Sequence, residues 1–238
     1  DATTLWLTSV GAVAINPALY EKLPYDPVRD LTPVSQVVKN VEILVVPANA
    51  PYNTGAELVA AARQPGAKLS MASSGTGSVP HLAMEQLNDA AKINLLHVPY
   101  KGGGPAVLAT LSGETSLIIP SMVPVLQHIK EGKLRALGIA SERRHPLLPD
   151  VPTLREQGVA METGTWFGIL APAGLPPAIA QRLTHDLNEV LKDKDVLAKL
   201  ISEGAETTPM DPKTFAAFID SETRRWRDVV AKAGIQPE

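Results

Sequence analysis

No cysteine occurs in the 238 residues, which excludes disulfides, thiolate nucleophiles and cysteine-ligated zinc. A cysteine-free chain suits an oxidising compartment. No apolar run approaches the ~18 residues that a membrane-spanning helix needs. Basic residues are not in excess: 22 Lys and Arg stand against 25 Asp and Glu, a net charge of −3, and no basic stripe offers itself to nucleic acid. The five histidines are scattered, with no His-x-x-x-His spacing and no carboxylate cluster, so no metal is expected. No signal peptide opens the chain; Asp1-Ala2-Thr3-Thr4-Leu5-Trp6-Leu7 reads as a turn running into a strand, as if an upstream segment had been removed.

Proline is abundant, at 21 residues, and it punctuates element ends. With 45% apolar residues and a length sufficient for two ordinary domains, the chain can bury a sizeable core. Its middle alternates short apolar runs with helical periodicity. Leu69–Ala72, Ile93–Val98, Thr115–Ile119 and Leu134–Ala140 read as strands. Between them lie a helix carrying Val79, Leu82, Ala83, Met84 and Leu87, one opened by Pro105 and closed by Gly113, and one from Val123 to Glu131. Thr54 followed by Glu57 is a capping box for an earlier helix. Near-continuous apolar strands joined by helices predict a parallel sheet covered on both faces.

Two further apolar strands, Glu42–Pro47 and Trp166–Pro172, flank this block and read as crossings between lobes. The expected organisation is a discontinuous first lobe, residues 1–46 plus 166–238, and a second lobe, residues 47–165. Downstream, Pro176-Pro177 opens a helix with Ile179, Leu183, Leu187 and Leu191 on one face. Asp211 caps a last helix that turns Phe215, Ile219, Trp226 and Val230 inward. Its charged residues, Glu222, Arg224, Arg225, Arg227 and Asp228, read as solvated surface, and Trp166 and Phe167 as cleft lining or buried packing.

Ligands of open α/β sheets bind at the carboxyl ends of strands. That edge carries Ser73-Ser74-Gly75-Thr76-Gly77-Ser78 and Tyr100-Lys101-Gly102-Gly103-Gly104. Backbone amides freed by glycine, hydroxyls, helix N-termini and Lys101 together favour a carboxylate guest. Tight turns need the same residues, and the pattern alone does not separate a turn glycine from a ligand glycine. Neither nucleotide fingerprint fits: Pro80 stands where the dinucleotide motif wants Gly or Ala, and Lys101 precedes its glycines, so no cofactor is expected. Ser74 or Ser78 with His81 or His97 as base is the nucleophilic alternative, though no Gly-x-Ser-x-Gly elbow is present. Structural hydrogen bonding is the commoner role for both histidines.

Motifs along the whole length occur in one order: Ala14-Ile15-Asn16-Pro17, Leu23-Pro24-Tyr25-Asp26-Pro27, Ala72–Ser78 with His81-Leu82, His97-Val98-Pro99-Tyr100-Lys101-Gly102, Gly132–Leu137, Leu148–Thr153, and Trp166-Phe167-Gly168 through Gly174. In this the chain resembles the extracytoplasmic solute receptors of tripartite tricarboxylate transporters, the Bug or TctC-like proteins. The resemblance implies an α/β, bilobed periplasmic-binding-protein fold (a Venus flytrap, type 2-like) with two lobes that each contain a parallel sheet. It implies a monomeric, non-catalytic periplasmic receptor that delivers a di- or tricarboxylate, acidic amino acid or aromatic acid to a membrane permease. Presentation of the ligand to a membrane histidine kinase is the alternative of a different class. The implied ligand-facing residues are Thr8, Ser9, Gly11 and Ala12 from the first lobe. Those from the second are Ser73, Ser74, Gly77, Ser78, Lys101 and Gly102, with the loop around Ser121. Two departures stand out. The family's opening strand, its Pro-Gly-Gly loop with a following Asp, and the first helix have no counterpart, which implies a first lobe lacking that segment and impaired binding. Ser116 stands where the family pattern has Asp, in a place where specificity or local strand structure would change.

Overall fold

The strand-and-helix block forms where the apolar runs and caps place it. The computed structural model, which describes residues 4–202 and 204–235, divides into two compact units, Asn40–Gly164 and Asp1–Lys39 with Thr165–Glu238. The continuous unit is a five-stranded sheet built from β3 (Ile43–Pro47), β4 (Ser70–Ser73), β5 (Leu96–Pro99), β6 (Leu117–Ile118) and β7 (Leu134–Ile139), in the order β5-β4-β6-β3-β7. Its helices are α2 (Gly55–Ala62), α3 (Val79–Ala91), α4 (Gly103–Leu111) and α5 (Val123–Lys130).

Burial on both faces explains why these strands are nearly all apolar. Successive side chains of β3 point to opposite faces. Leu44 and Val46 pack with Leu58 of α2 and Met84 and Leu87 of α3, whereas Ile43 and Val45 pack with Val107 of α4 and Val125 of α5. Each such fully buried aliphatic side chain contributes roughly 1.5–3 kcal/mol. The helix starts follow local chemistry. Thr54 Oγ1 accepts the Glu57 N–H at 3.1 Å, and the Glu57 carboxylate accepts from Asn53 N at 2.7 Å, one residue before the cap. Gln157 then clamps the same terminus, its Oε1 accepting from Gly55 N at 2.7 Å while its Nε2 donates to Leu137 O at 2.8 Å.

Two expectations need correction. The sheet is mixed: β4 is parallel to β5 and β6, but β3 lies antiparallel to both β6 and β7. An apolar run buried on both faces reads the same in either direction, so its sequence does not reveal the reversal. Residues 43–46 also belong to this sheet, and the division falls between Lys39 and Asn40, ahead of the expected boundary at 46.

The discontinuous unit holds β1 (Trp6–Ser9), a π-helical turn (Gly11–Ile15) running into α1 (Asn16–Leu19), β2 (Leu31–Val41), β8 (Gly164–Pro172), α6 (Pro177–Val190), α7 (Lys194–Ser202), β9 (Ala205–Thr207) and α8 (Pro212–Lys232). Its four strands follow the order β1-β8-β2-β9, with β1 antiparallel to β8. Asp1–Thr3, the first part of the expected opening turn, lie outside the described residues. Asp211 caps α8 as expected, its Oδ1 accepting from Lys213 N and Thr214 N, both at 3.0 Å. Glu222 corrects the reading of the charged face. It is buried, and its Oε2 accepts the indole N–H of Trp166 at 3.0 Å and that of Trp226 at 3.3 Å. Arg225 Nε donates to Oε1 at 2.8 Å and lies over the Trp226 ring at 4.2 Å. Trp166 meets Phe215 and Phe218 edge-on, at 5.6 and 5.5 Å, so it is core packing. Gly168 is fixed by the same contact: a Cβ there would stand 2.3 Å from Phe215 Cζ.

Candidate functional site

Parallel, adjacent strands β5, β4 and β6 each lead into a helix, so three strand-to-helix loops emerge at one sheet edge of the continuous unit. Neighbouring strands lie about 4.8 Å apart. The first two loops touch: Tyr100 N donates to Ser73 O at 2.9 Å. The third, around Ser121, is tied down by the Ile43 N–H on Pro120 O at 2.9 Å and the Met122 N–H on Val41 O at 3.1 Å. Ser73, Ser74, Gly77, Ser78, Lys101, Gly102 and Ser121 therefore fall on this one edge.

The roles differ from residue to residue. Ser73 is fully buried and internal to its loop. Its Oγ accepts from Gly75 N at 3.2 Å and lies 2.6 Å from His97 Nε2. Ser78 caps α3, accepting the His81 N–H at 3.5 Å and donating to Gly75 O at 2.6 Å. Gly77 has φ 73° and Gly102 φ 106°, backbone conformations that favour glycine, so both are required by the turns. Gly103 and Gly104 are different. Neither has a positive φ, and an added Cβ at either would meet nothing within 4 Å. Neither turn geometry nor packing calls for glycine at these two positions. Their amides precede the first bond inside α4, from Ala106 N to Gly102 O at 3.4 Å, and so belong to the positive end of the helix, where intrahelical acceptors are lacking. Lys101 beside them is exposed, without an ion-pair partner among the described residues.

Beneath the first loop the two histidines stack, with ring centroids 3.8 Å apart and planes at 6°. Gly77 N donates to His81 Nδ1 at 3.0 Å, which places the proton of the neutral imidazole on Nε2, 3.8 Å from Glu85 Oε1. Burial and the neighbouring His97 lower the His81 pKa to about 4; burial lowers that of His97 and raises that of the Glu85 carboxyl. A pair of rings separated by sixteen residues, one on a helix and one on a strand, leaves no periodic trace in the sequence. For the nucleophilic alternative, the serine hydroxyl within reach of a histidine nitrogen among the described residues is that of Ser73, which is sealed from solvent, while Ser78 is engaged in capping.

Ser116 lies away from this edge, immediately before β6 and bonded to Ser70 at the start of β4. Its Oγ accepts from Ser70 N at 3.1 Å and its N–H donates to Ser70 O at 2.9 Å. Of the two effects expected of this departure, the structure shows a local strand-pairing role.

In the discontinuous unit, Thr8 is buried on β1 opposite Gly168, Ser9 ends the strand, and Gly11 and Ala12 begin the π-helical turn. Tyr25, from the Leu23–Pro27 motif, donates to Ala12 O at 2.7 Å and stacks edge-on with Trp6 at 5.7 Å. The motif thus anchors the turn that carries these candidates.

The model of the tripartite tricarboxylate transporter family receptor, TctC, matches residues 1–235. The chain belongs to this receptor family. It is 36% identical over 234 residues to a protein encoded in the tcbD–tcbE intergenic region of Pseudomonas sp., covering 98% of this chain and 69% of that one. It is also 36% identical to BugT of Bordetella pertussis, covering 98% of this chain and 72% of that one. Among solved structures, an R. palustris protein with adipate aligns with TM-score 0.89 at 30% identity, covering 100% of this chain and 80% of the other. MatC from Rhodopseudomonas palustris with bound malate aligns at 0.81 and 32%, covering 97% and 80%. The periplasmic binding protein BugD aligns at 0.85 and 29%, covering 100% and 80%. The fold is therefore that of periplasmic binding proteins, α/β with mixed sheets, and the family is one of carboxylate-binding solute receptors.

Proposed function

We propose that this receptor captures a small di- or tricarboxylate outside the cytoplasm, with the open N-terminus of α4 as its principal carboxylate anchor, and passes it to a tripartite tricarboxylate transporter permease. The observation that carries this reading is the pair Gly103 and Gly104, where side chains are absent although neither backbone nor packing requires it. An anion placed there gains about 0.3–1 kcal/mol from the helix dipole, up to ~2 when partly buried. The Lys101 ammonium and the Ser74 hydroxyl are the adjacent donors, and Gly75 and Gly77 give their loop its course. Ser9 and Gly11 are the corresponding small and polar candidates of the other unit. The adipate and malate held by related structures fit a ligand of this chemistry.

Gly104→Val tests the anchor directly. An added Cβ meets nothing within 4 Å, so the fold is expected to tolerate the substitution, while the added bulk narrows access to the helix end. Titration calorimetry against mono-, di- and tricarboxylates is expected to give micromolar binding for at least one acid, and Gly104→Val to weaken it by about tenfold or more. A wild-type protein silent to every acid refutes the receptor reading; a Gly104→Val variant of unchanged affinity removes α4 from the site.

A further inference from the structure

The floor of the anion loop is made of two imidazoles, and their arrangement assigns them a task. We infer that His81 and His97 are positioning residues, a stacked pair that holds the 73–78 loop in one fixed conformation at the proposed carboxylate site. The inference rests on the reading of that loop as part of the carboxylate site. Each ring grips a different point: His81 Nδ1 accepts the Gly77 N–H at 3.0 Å, and His97 Nε2 meets Ser73 Oγ at 2.6 Å. Ser73 Oγ in turn bonds both ends of Gly75, donating to its carbonyl at 3.1 Å and accepting its N–H at 3.2 Å. The rings come from α3 and β5, so their 3.8 Å stack ties the helix after the loop to the neighbouring strand.

The arrangement needs His81 uncharged; His97 Nε2 donates to Ser73 Oγ, whose own proton goes to Gly75 O. A proton on His81 Nδ1 would turn the acceptor of the Gly77 N–H into a donor pointing at it. Two stacked cations at this distance would also repel each other in a largely dry setting. The groups facing the pair are Glu85 on α3, 3.8 Å from His81 Nε2, the two histidines themselves, and from β4 the uncharged Ser73 hydroxyl. Glu85 is too far for a hydrogen bond and is not placed to rescue the doubly charged stack. Acidification therefore releases the loop, and with it the ligand, as a property of the receptor.

The test separates acceptor from ring. His81→Phe keeps a flat ring for the stack and removes the acceptor; His81→Asn places Oδ1 near the position of Nδ1 and restores it. Two readouts are taken at neutral pH: amide hydrogen exchange of Gly77 without ligand, and the dissociation constant for a carboxylate that binds wild type. Expected for His81→Phe are lost Gly77 protection and affinity weakened about tenfold, with His81→Asn within about threefold of wild type. On lowering the pH, affinity corrected for ligand protonation should fall for wild type and stay level for His81→Asn. Unchanged Gly77 exchange and affinity in His81→Phe overturn the inference. If His81→Phe does not fold, a His81→Asn variant with the same acid-linked loss as wild type overturns it instead. If wild type binds no carboxylate, the receptor reading fails, while ligand-free Gly77 exchange still decides whether the histidines position the loop.

Discussion

Replacing Glu222 by alanine should strip α8 of its hold on β8. The carboxylate is 8% exposed and takes two indole N–H groups, from Trp166 at 3.0 Å and Trp226 at 3.3 Å. Both indoles are sealed from water, so each loses a partner it cannot replace with solvent, at a cost of about 1–3 kcal/mol apiece. Arg225 adds little to this sum, because its side chain is 34% exposed and can be rehydrated. The expected destabilisation is about 3 kcal/mol, which for a unit of roughly a hundred residues lowers the unfolding midpoint by on the order of 10 °C. Glu222→Gln, which retains an acceptor oxygen, should lose less than half as much. All three tryptophans, Trp6, Trp166 and Trp226, belong to the discontinuous unit, so their fluorescence during urea unfolding follows that unit by itself. A Glu222→Ala unfolding free energy within about 0.5 kcal/mol of wild type, or a glutamine variant as damaged as the alanine one, would refute the assignment.

Three further outcomes follow from other positions. Gly168→Ala sets a methyl 2.3 Å from Phe215 Cζ and 3.2 Å from Ser35 O, and should cost at least the ~1–3 kcal/mol of an overpacked core in the same urea assay. Thr54→Ala removes the cap of α2 and should cost about 1 kcal/mol, read by circular dichroism during chemical unfolding. Stability should also fall on acidification through His81, whose pKa drops from 6.5 to about 4 on folding, chiefly by burial. Between these values the unfolded chain holds a proton that the folded chain refuses, so stability is full above about pH 6.5 and declines as the pH falls to 4. His81→Asn should flatten that part of the stability curve.

Much of this architecture was legible because local chemistry determines it. The capping box at Thr54 and Glu57, the Asp211 cap and the prolines in the first turns of α3, α5, α6 and α8 mark helix starts. The strand-to-helix loops of the candidate site follow from the same alternation. What escaped depends on contacts across the fold. The reversed direction of β3, the long strand β2, the burial of Glu222 and the stacking of His81 on His97 are set by partners far away in sequence. Glu222 is instructive: three residues after Ile219 and four before Trp226 it lies on the inward stripe of α8, its charge alone suggests surface, and the two indole donors that accept its burial come into view only in the fold. The two idle glycines after Lys101 were visible as a run, yet only the structure separates them from Gly102, which its φ of 106° demands.

The pairing of β1 with β8, which joins Trp6 to Leu170, carries a consequence for the order of events in biogenesis. Within the described sheet, β1 and β2 both border β8, a strand that is synthesised more than a hundred residues after either of them. The continuous unit, whose five strands all find partners within Asn40–Gly164, can meanwhile settle by itself. Synthesis thus passes through a stage at which one unit can be finished while β1 and β2 still await that neighbour, the stage at which a holding chaperone has most to protect.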